Sequence, residues 1–370
     1  MDIVTQGLLG AAVAEAMGAR ERLGGRALAF GAACGVVPDL DALSLVGGYW
    51  SGLVHHRGCS HSLIVLAAVA PLLGLLACRW LGDGRARRLW IYLSFWALIT
   101  HPLLDLFTSY GTQLLAPFST ARFALDGVGA LDPLVTIPLA VAVTMARRAS
   151  AARGRLVTSG ALAWSVSYIL VGATLSYTAA RAHHASLTDA GFEPVAGRAL
   201  ITPGLPLLRR VVARDEIGNI AVALWSPWAG VARARQLSRP RDPAVASALG
   251  SSRGRTFRWF ADGYVHAELT RDGDEALVRL SDQRFGLITE MTRSSTFRVD
   301  MRVGPDGRLR SVTPSPLPSP RLWRELAAGW RHSLGRATAD APGLASRGIS
   351  RDRENNLVHK KSPGPVSLAP

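Results

Sequence analysis

Cysteine is scarce in this chain of 370 residues, which contains three. Cys34, Cys59 and Cys78 show no Cys-x-x-Cys spacing, and two of them lie within apolar runs. We therefore expect neither a disulfide framework nor a cysteine-rich zinc module. The N-terminus also lacks a basic segment and Glu15 interrupts its apolar stretch, so we do not expect a cleaved signal peptide.

Lysine is almost absent as well, since it occurs at Lys360 and Lys361 alone. The net charge of +15 therefore rests on arginine. The arginines are scattered or lie at the ends of apolar runs, and they do not form a basic patch with base-stacking aromatics. We expect no nucleic-acid partner, because orientation in a membrane explains part of the charge more simply.

Long apolar runs are confined to the first half of the chain. Residues 1–180 contain six of them, whereas residues 181–370 are mixed and rich in arginine. The longest runs are sufficient to cross a bilayer as helices. The sequence therefore predicts a mainly α membrane helical bundle with about five to six membrane-embedded helices and with the lipid bilayer as a partner. The six runs cover about 3–18, 27–37, 62–82, 89–107, 132–148 and 156–180.

Three basic loops give this bundle an orientation. Residues 20–26, 79–88 and 147–155 are rich in arginine and alternate with the intervening runs. The positive-inside rule places such loops in the cytoplasm. We therefore predict a multi-pass protein of the inner (plasma) membrane, with the histidine-rich segment 51–61 and everything after residue 181 on the extracytoplasmic side.

The second half of the chain has the short alternating segments of β-strands. Turn signals such as Arg-Asp-Gly-Asp at 271–274 separate several of these segments. We predict a β-rich soluble domain over residues 181–335, with a helix at about 320–334. Residues 336–370 are rich in Ser, Pro, Arg and Gly without an apolar pattern, which predicts a disordered basic tail. The predicted strands are 207–214, 219–225, 256–260, 264–270, 275–281 and 296–303.

Histidine and aspartate recur at one end of the apolar runs. His101 and Asp105 are four residues apart, so they share one face of a helix. An ionisable pair within an apolar segment is costly unless it binds something, which makes it a candidate functional site. The residues that the alternation of runs brings to the same side are Asp39, Asp41, His56, His61, His101 and Asp105.

Imidazole and carboxylate groups are the usual ligands of zinc, and of manganese or iron where more oxygens take part. We predict a divalent metal site, with zinc as the first choice. The set is larger than one ion needs, so a two-metal centre stays open. The predicted ligands are His56, His61, His101, Asp105 and Glu15, the predicted general base or further ligands are Asp39 and Asp41, and Arg57 is predicted to bind an anionic part of the substrate.

Several of these residues also have a plainer interpretation. Asp39 and Asp41 fit solvated residues of a turn after a proline, since turns favour aspartate. Glu15 could pair with a nearby arginine such as Arg20. Arg57 could bind a lipid headgroup phosphate at the membrane interface instead of a substrate.

Short motifs in a fixed order run through residues 1–180. They are Met1-Asp2, Gly10-Ala11-Ala12-Val13, Pro38-Asp39-Leu40-Asp41, His56-Arg57-Gly58-x-Ser60-His61-Ser62, Thr100-His101-Pro102-Leu103-Leu104-Asp105, Pro117-Phe118-Ser119 and Asp132-Pro133. Together they resemble the YdjM-type family of membrane-bound proteins, which are described as metal-dependent hydrolases. Many relatives carry Thr-His near the start where this chain has Thr5-Gln6, so no ligand is assigned there.

These observations are compatible with three functions. The preferred hypothesis is a membrane-bound metal-dependent hydrolase acting on a lipid or lipid-linked phosphoester at the outer membrane face. The His-x-x-x-Asp helix is also similar to an element of zinc-dependent phospholipases C and nucleases, which suggests phosphoester cleavage. The alternatives are a metal-braced structural or sensor protein, and a metal or proton transporter, because intramembrane His and Asp also build ion pathways.

Overall fold

The computed structural model describes residues 1–81, 86–202, 204–286, 295–315 and 350–351. A helical region comes first and a β-rich region follows it, which confirms the predicted fold class. Two short 3₁₀ segments, Val37–Gly47 and Cys59–His61, interrupt the helices. The helices of the first region are α1 (Ile3–Ala16), α2 (Ala19–Leu23), α3 (Arg26–Val36), α4 (Tyr49–His55), α5 (Leu63–Leu81), α6 (Arg87–Leu106), α7 (Pro133–Arg148) and α8 (Ala151–Thr188).

Four segments of the described chain are long and apolar enough to cross a membrane. They are Arg26–Ser44, α5, α6 and α8, and the apolar helix α1 is shorter. The six predicted runs correspond to α1, α3, α5, α6, α7 and α8. Helix α8 has 38 residues, or about 57 Å at 1.5 Å per residue, which exceeds a hydrocarbon core of about 30 Å. It therefore extends beyond the bilayer and leads into the β-rich region.

Helix α1 lies in the middle of the bundle and packs against α3, α6, α7 and α8. Glycines allow its backbone to approach α3 closely. A Cβ added at Gly10 would lie 2.1 Å from the carbonyl oxygen of Gly31, and one added at Gly35 would lie 2.4 Å from that of Gln6. Small residues permit such backbone contact between membrane helices. The contact fixes α3, and with it the 3₁₀ segment that follows, against the centre of the bundle.

The β-rich region contains two sheets that are antiparallel apart from one short parallel pair. The first has the order β1-β2-β3-β5-β10, with β4 paired to β3 and β10 parallel to β5, and the second has the order β6-β7-β8-β9. Helices α9 (Pro243–Gly250) and α10 (Ser252–Phe260) connect them. The strands are β1 (Ala196–Thr202), β2 (Leu205–Arg214), β3 (Ile220–Ser226), β4 (Gly230–Val231), β5 (Arg235–Leu237), β6 (Val265–Asp272), β7 (Glu275–Asp282), β8 (Arg298–Val303), β9 (Leu309–Pro314) and β10 (Ser350–Arg351).

One predicted strand is wrong, because residues 256–260 form the end of helix α10. The Ser251 hydroxyl accepts a hydrogen bond from the Gly254 N–H at 3.0 Å and caps this helix. Phe257 and Phe260 are both fully buried. Side chains three residues apart share a face in a helix but point to opposite faces in a strand, so the helix buries both rings. The other five predicted strands correspond to β2, β3, β6, β7 and β8.

The predicted helix at 320–334 lies outside the described residues, as does the predicted tail at 336–370 apart from strand β10. The described part of the β-rich region rests on the bundle through α4 and the loop after α6. Leu53 of α4 is buried in one hydrophobic cluster with Phe257 and Phe260. The Arg198 guanidinium donates to both carboxylate oxygens of Asp126, at 2.8 and 3.0 Å.

Candidate metal centre

Helix α6 supplies one half of the candidate centre. His101 and Asp105 lie one turn apart near its C-terminal end, and both are fully buried. The two 3₁₀ segments supply the other half, with Asp39 in the first and the fully buried His61 at the end of the second. We call Asp39, His61, His101 and Asp105 the four-donor group, because one ligand atom from each lies within 4.8 Å of the others.

The distances within the four-donor group match those of ligands around one ion. His61 Nε2 lies 3.0 Å from His101 Nε2, 3.6 Å from Asp39 Oδ1 and 3.3 Å from Asp105 Oδ2. His101 Nε2 lies 3.5 Å from Asp39 Oδ1 and 3.7 Å from Asp105 Oδ2. Ligands at about 2.0–2.1 Å from a tetrahedral zinc ion are about 3.3 Å from one another. The four atoms therefore have the spacing that surrounds a single cation.

The second nitrogen of each histidine is held by a group outside the four-donor group. The Nδ1 of His101 lies 2.6 Å from the carbonyl oxygen of Gly35, to which it donates. The Nδ1 of His61 lies 3.2 Å from Asp41 Oδ2 and 3.0 Å from Ser60 Oγ. These contacts favour the proton on Nδ1, so the two Nε2 atoms face each other across 3.0 Å and require a shared proton or cation. A carbonyl or carboxylate behind a metal-binding histidine is the usual arrangement in proteins.

Carboxylates surround His61 and stabilise positive charge on it. Burial lowers the pKa of this histidine, but hydrogen bonds to Asp105, Asp39 and Asp41 outweigh that effect and raise the pKa to about 9. The same carboxylates attract any cation that enters the group, since an opposite charge in a buried position is strongly favoured.

Asp105 is the most enclosed of the carboxylates. Its Oδ1 accepts from Gln6 Nε2 at 3.0 Å and contacts the Met1 amino group. Its Oδ2 has no hydrogen bond within the described structure, although Arg57 Nε lies 3.0 Å away as an ion pair. An oxygen with lone pairs that no hydrogen bond uses, directed at two histidine nitrogens, is suited to bind a cation.

Asp41 and His56 form a second layer beside the four-donor group. Asp41 Oδ1 lies 2.8 Å from His56 Nδ1, and its Oδ2 accepts from the backbone N–H of Arg57 at 2.8 Å and from Ser60 Oγ at 2.5 Å. The His56 side chain is 25% exposed. Asp41 therefore orients one histidine of the inner group and one that reaches solvent.

Glu15, which the sequence pattern includes among the ligands, lies elsewhere. Its carboxylate accepts two hydrogen bonds at 2.8 Å from the Arg20 guanidinium, which is the plainer interpretation considered above. It sits near the C-terminal end of α1, next to Gly154 of α8. Gln6 reaches the four-donor group from the other end of the same helix. We therefore leave Glu15 out of the proposed ligand set.

Arg57 is buried rather than open to a substrate. Its backbone has a φ of 59°, and its side chain contacts Asp105 and the Thr108 hydroxyl and lies 5.2 Å from the centre of the Tyr110 ring. In this arrangement its charge offsets that of Asp105. Any role toward an anionic substrate remains a prediction.

Sequence reasoning missed Gln6 and Thr108, which support Asp105 and Arg57. Neither residue has a spacing pattern that points to the site. The signal for Gln6 was its position, since many relatives carry histidine there, and the structure shows that its side chain is fully buried.

Comparisons with known proteins agree with the bundle. A family model described as YdjM inner membrane protein matches residues 1–181. The inner membrane protein YbcI of Escherichia coli (strain K12) is 40% identical over 102 residues, which are 26% of this chain and 57% of YbcI. The uncharacterized protein YfhP of Bacillus subtilis (strain 168) is 25% identical over 108 residues, which are 29% of this chain and 33% of YfhP. The match therefore covers about a third of YfhP and less than two thirds of YbcI. No solved structure matches this chain.

The matched region contains every member of the four-donor group, and its motifs are those on which the resemblance rests. Its apolar helices are those of a membrane protein. Residues 1–181 of this chain therefore match the YdjM family of inner membrane proteins.

Proposed function

We propose that the chain is a membrane-bound metal-dependent hydrolase whose four-donor group holds one divalent cation, with zinc as the first choice and manganese or iron as others. The observation that carries this proposal is the spacing of two histidine nitrogens and two carboxylate oxygens, which is 3.0–3.7 Å in the five pairs that include a histidine nitrogen and within 4.8 Å for all pairs. Two nitrogen and two oxygen ligands suit zinc, and one cation accounts for all four donors.

The chemistry that a bound cation supplies is polarisation of a phosphoryl or carbonyl oxygen and a lower pKa for water. The chain's own residues fix the geometry, since Gly35 and Asp41 orient the two histidine rings. Asp41 and His56 are the proposed proton acceptor, because His56 Nδ1 is held by Asp41 while the ring reaches solvent. Arg57 neutralises Asp105 and lies close enough to the group to bind an anionic substrate if its side chain moves.

The proposed substrate is a lipid or lipid-linked phosphoester at the outer membrane face. The positive-inside rule, applied to the basic loops of the bundle, supports an extracytoplasmic position for the four-donor group and the β-rich region. Asp39 lies near the end of the candidate span Arg26–Ser44, and His61 lies in a 3₁₀ segment just before α5, so both are proposed to lie near headgroup depth. A group at this depth would lie at the level of the ester linkages of lipids.

Metal content and turnover test the proposal together. We expect the wild-type protein, purified in detergent without chelator, to contain about one equivalent of metal by elemental analysis. His101→Ala and Asp105→Ala each remove a ligand and should lose it. His55→Ala is the matched control, because this exposed neighbour of His56 lies outside the group and should retain the metal. A metal-free wild-type preparation contradicts the proposal.

Turnover of short-chain phospholipids, measured on the same preparations, distinguishes an enzyme from a protein in which the metal only stabilises the bundle. We expect His56→Ala to keep the metal and lose turnover, because it removes the proposed proton acceptor alone. Full metal occupancy without turnover on any phosphoester favours the structural or sensor alternative. The complete burial of His61, His101 and Asp105 is the observation that supports this second function.

A further inference from the structure

A cavity of about 530 Å³ opens in the β-rich region, away from the four-donor group. It lies between the turn that joins β2 to β3 and the helices α9 and α10. Its polar lining is dominated by arginine. The lining includes Ile217, Asn219, Arg239, Arg241, Asp242 and Arg258.

Arg239 is fixed in the cavity wall, and no described carboxylate forms an ion pair with it. Its guanidinium covers Gly218, where an added Cβ would lie 2.0 Å from Cζ, and the φ of +85° at that glycine also disfavours any side chain. The guanidinium donates a hydrogen bond to the carbonyl oxygen of Ile217 at 3.0 Å. Its Nε is buried and has no hydrogen-bond partner among the described residues. The group is therefore held in place with donor capacity unused.

The other charges at the cavity leave it positive. Arg241 and Arg258 have exposed side chains, and neither makes an ion pair within the described ranges. Asp242 is the single carboxylate among the lining residues that the structure describes. It already accepts hydrogen bonds from the Ala244 N–H at 2.8 Å and from Arg271 at 2.7 Å.

The positive groups also crowd one another. Burial lowers the pKa of Arg239, and the charges of Arg258 and Arg214 lower it further, although Asp215 opposes them. Asp215 itself is bonded to Asn219 through the side-chain amide at 2.6 Å. An anion placed among these arginines would relieve their repulsion.

We propose that this cavity binds the phosphate group of an anionic ligand, either free phosphate or the phosphomonoester headgroup of a lipid. Arginine presents several N–H donors in a planar fork that fits phosphate oxygens in pairs. The volume exceeds that of a phosphate ion, so part of the molecule that bears the phosphate also fits. This site does not depend on the proposed metal chemistry.

Calorimetric titration of the full chain in detergent with inorganic phosphate is the first test. We expect saturable binding that is about 10- to 100-fold weaker in Arg239→Gln and in Arg258→Gln, as for the loss of a charged hydrogen bond. Arg255→Gln is the matched control, because it removes an equal charge from the same helix outside the lining and should bind as the wild type does. Arg258 is exposed, so its variant keeps the test valid if Arg239→Gln fails to fold.

Competition by dihexanoyl phosphatidic acid identifies the source of the phosphate. If the lipid displaces phosphate and binds more tightly, the ligand of the cavity is a lipid headgroup. If the lipid does not compete, the ligand is the free phosphate ion. The proposal is overturned if neither probe binds, or if Arg239→Gln and Arg258→Gln both bind as the wild type does. The titration is repeated after any bound metal has been removed with a chelator. Phosphate binding that persists then supports the cavity whether or not the hydrolase proposal holds.

Discussion

At the scale of single residues, the candidate centre depends on side chains that bind no cation themselves. Gln6 Nε2 donates to Asp105 Oδ1 at 3.0 Å and approaches the backbone carbonyl of His101 at 3.4 Å. Asp41 fixes both His56 and His61. Such supporting contacts orient ligands and commonly change metal affinity 10- to 100-fold when removed.

Gln6→Met tests this support. The substitution keeps the volume of the side chain and removes the hydrogen bond to Asp105, so we expect metal affinity to fall about 10- to 100-fold while saturating metal still loads one equivalent. A competition titration with a chromophoric chelator measures the change. Thr5→Ser, at the adjacent position on α1, should leave the affinity unchanged. Wild-type affinity in Gln6→Met would show that Asp105 needs no such partner.

At the scale of helices, the contact between α1 and α3 positions the centre. The carbonyl of Gly35 on α3 orients His101 of α6, and Gly35 itself packs directly on the backbone of α1. Three helices therefore share one close contact. A change that separates α1 from α3 should act on the four-donor group without altering any member of it.

Gly35→Ala is the corresponding variant. The new methyl group would lie 2.4 Å from the carbonyl oxygen of Gln6, so the helices must separate, at a cost of about 1–3 kcal/mol. We expect a lower Tm in detergent and a lower metal content. Gly160→Ala is the matched control, because a Cβ at this position of α8 meets nothing within 4 Å and alanine favours helix by up to about 1 kcal/mol. Equal behaviour of the two variants would refute the positioning role of this contact.

At the scale of the whole molecule, the β-rich region and the candidate centre are joined through the same segments. Tyr110 lies 5.4 Å from the His56 ring and 5.3 Å from the Phe260 ring, measured between ring centres. Helix α4 ends at His55, next to the second-layer histidine, and its Leu53 belongs to the core of the second sheet. The two halves of the chain therefore share packing at the candidate centre.

Leu53→Ala tests that shared packing. Removing this buried side chain leaves a cavity between α4 and α10 and should destabilise the protein by about 2–4 kcal/mol. We expect faster hydrogen exchange both in residues 49–61 and in residues 257–267, since both border the cavity. Val54→Ala is the control, because its side chain is 36% exposed and is not part of this core cluster. Faster exchange confined to one side would mean that the two parts are independent.

Local pattern was sufficient for the class of the molecule and for much of the candidate site. Apolar runs predict spanning helices, and the spacing of His101 and Asp105 places them on one helical face. Both features depend only on residues that are close together in the sequence. The prediction of a strand at 256–260 was wrong because an aromatic segment of this kind fits either a strand or a helix. The helix is formed because it buries Phe257 and Phe260 on the same face.

The partners across the chain were decided by the tertiary structure alone. Sequence pattern ranks Glu15 with the ligands and leaves Gln6 out, yet the path of α1 through the bundle brings Gln6 to Asp105 and takes Glu15 to Arg20. Asp39 and His61 approach His101 because two 3₁₀ segments turn the chain back at the helix ends. The order of residues along the chain determined which groups can bind a cation, and packing of distant backbones determined which of them meet.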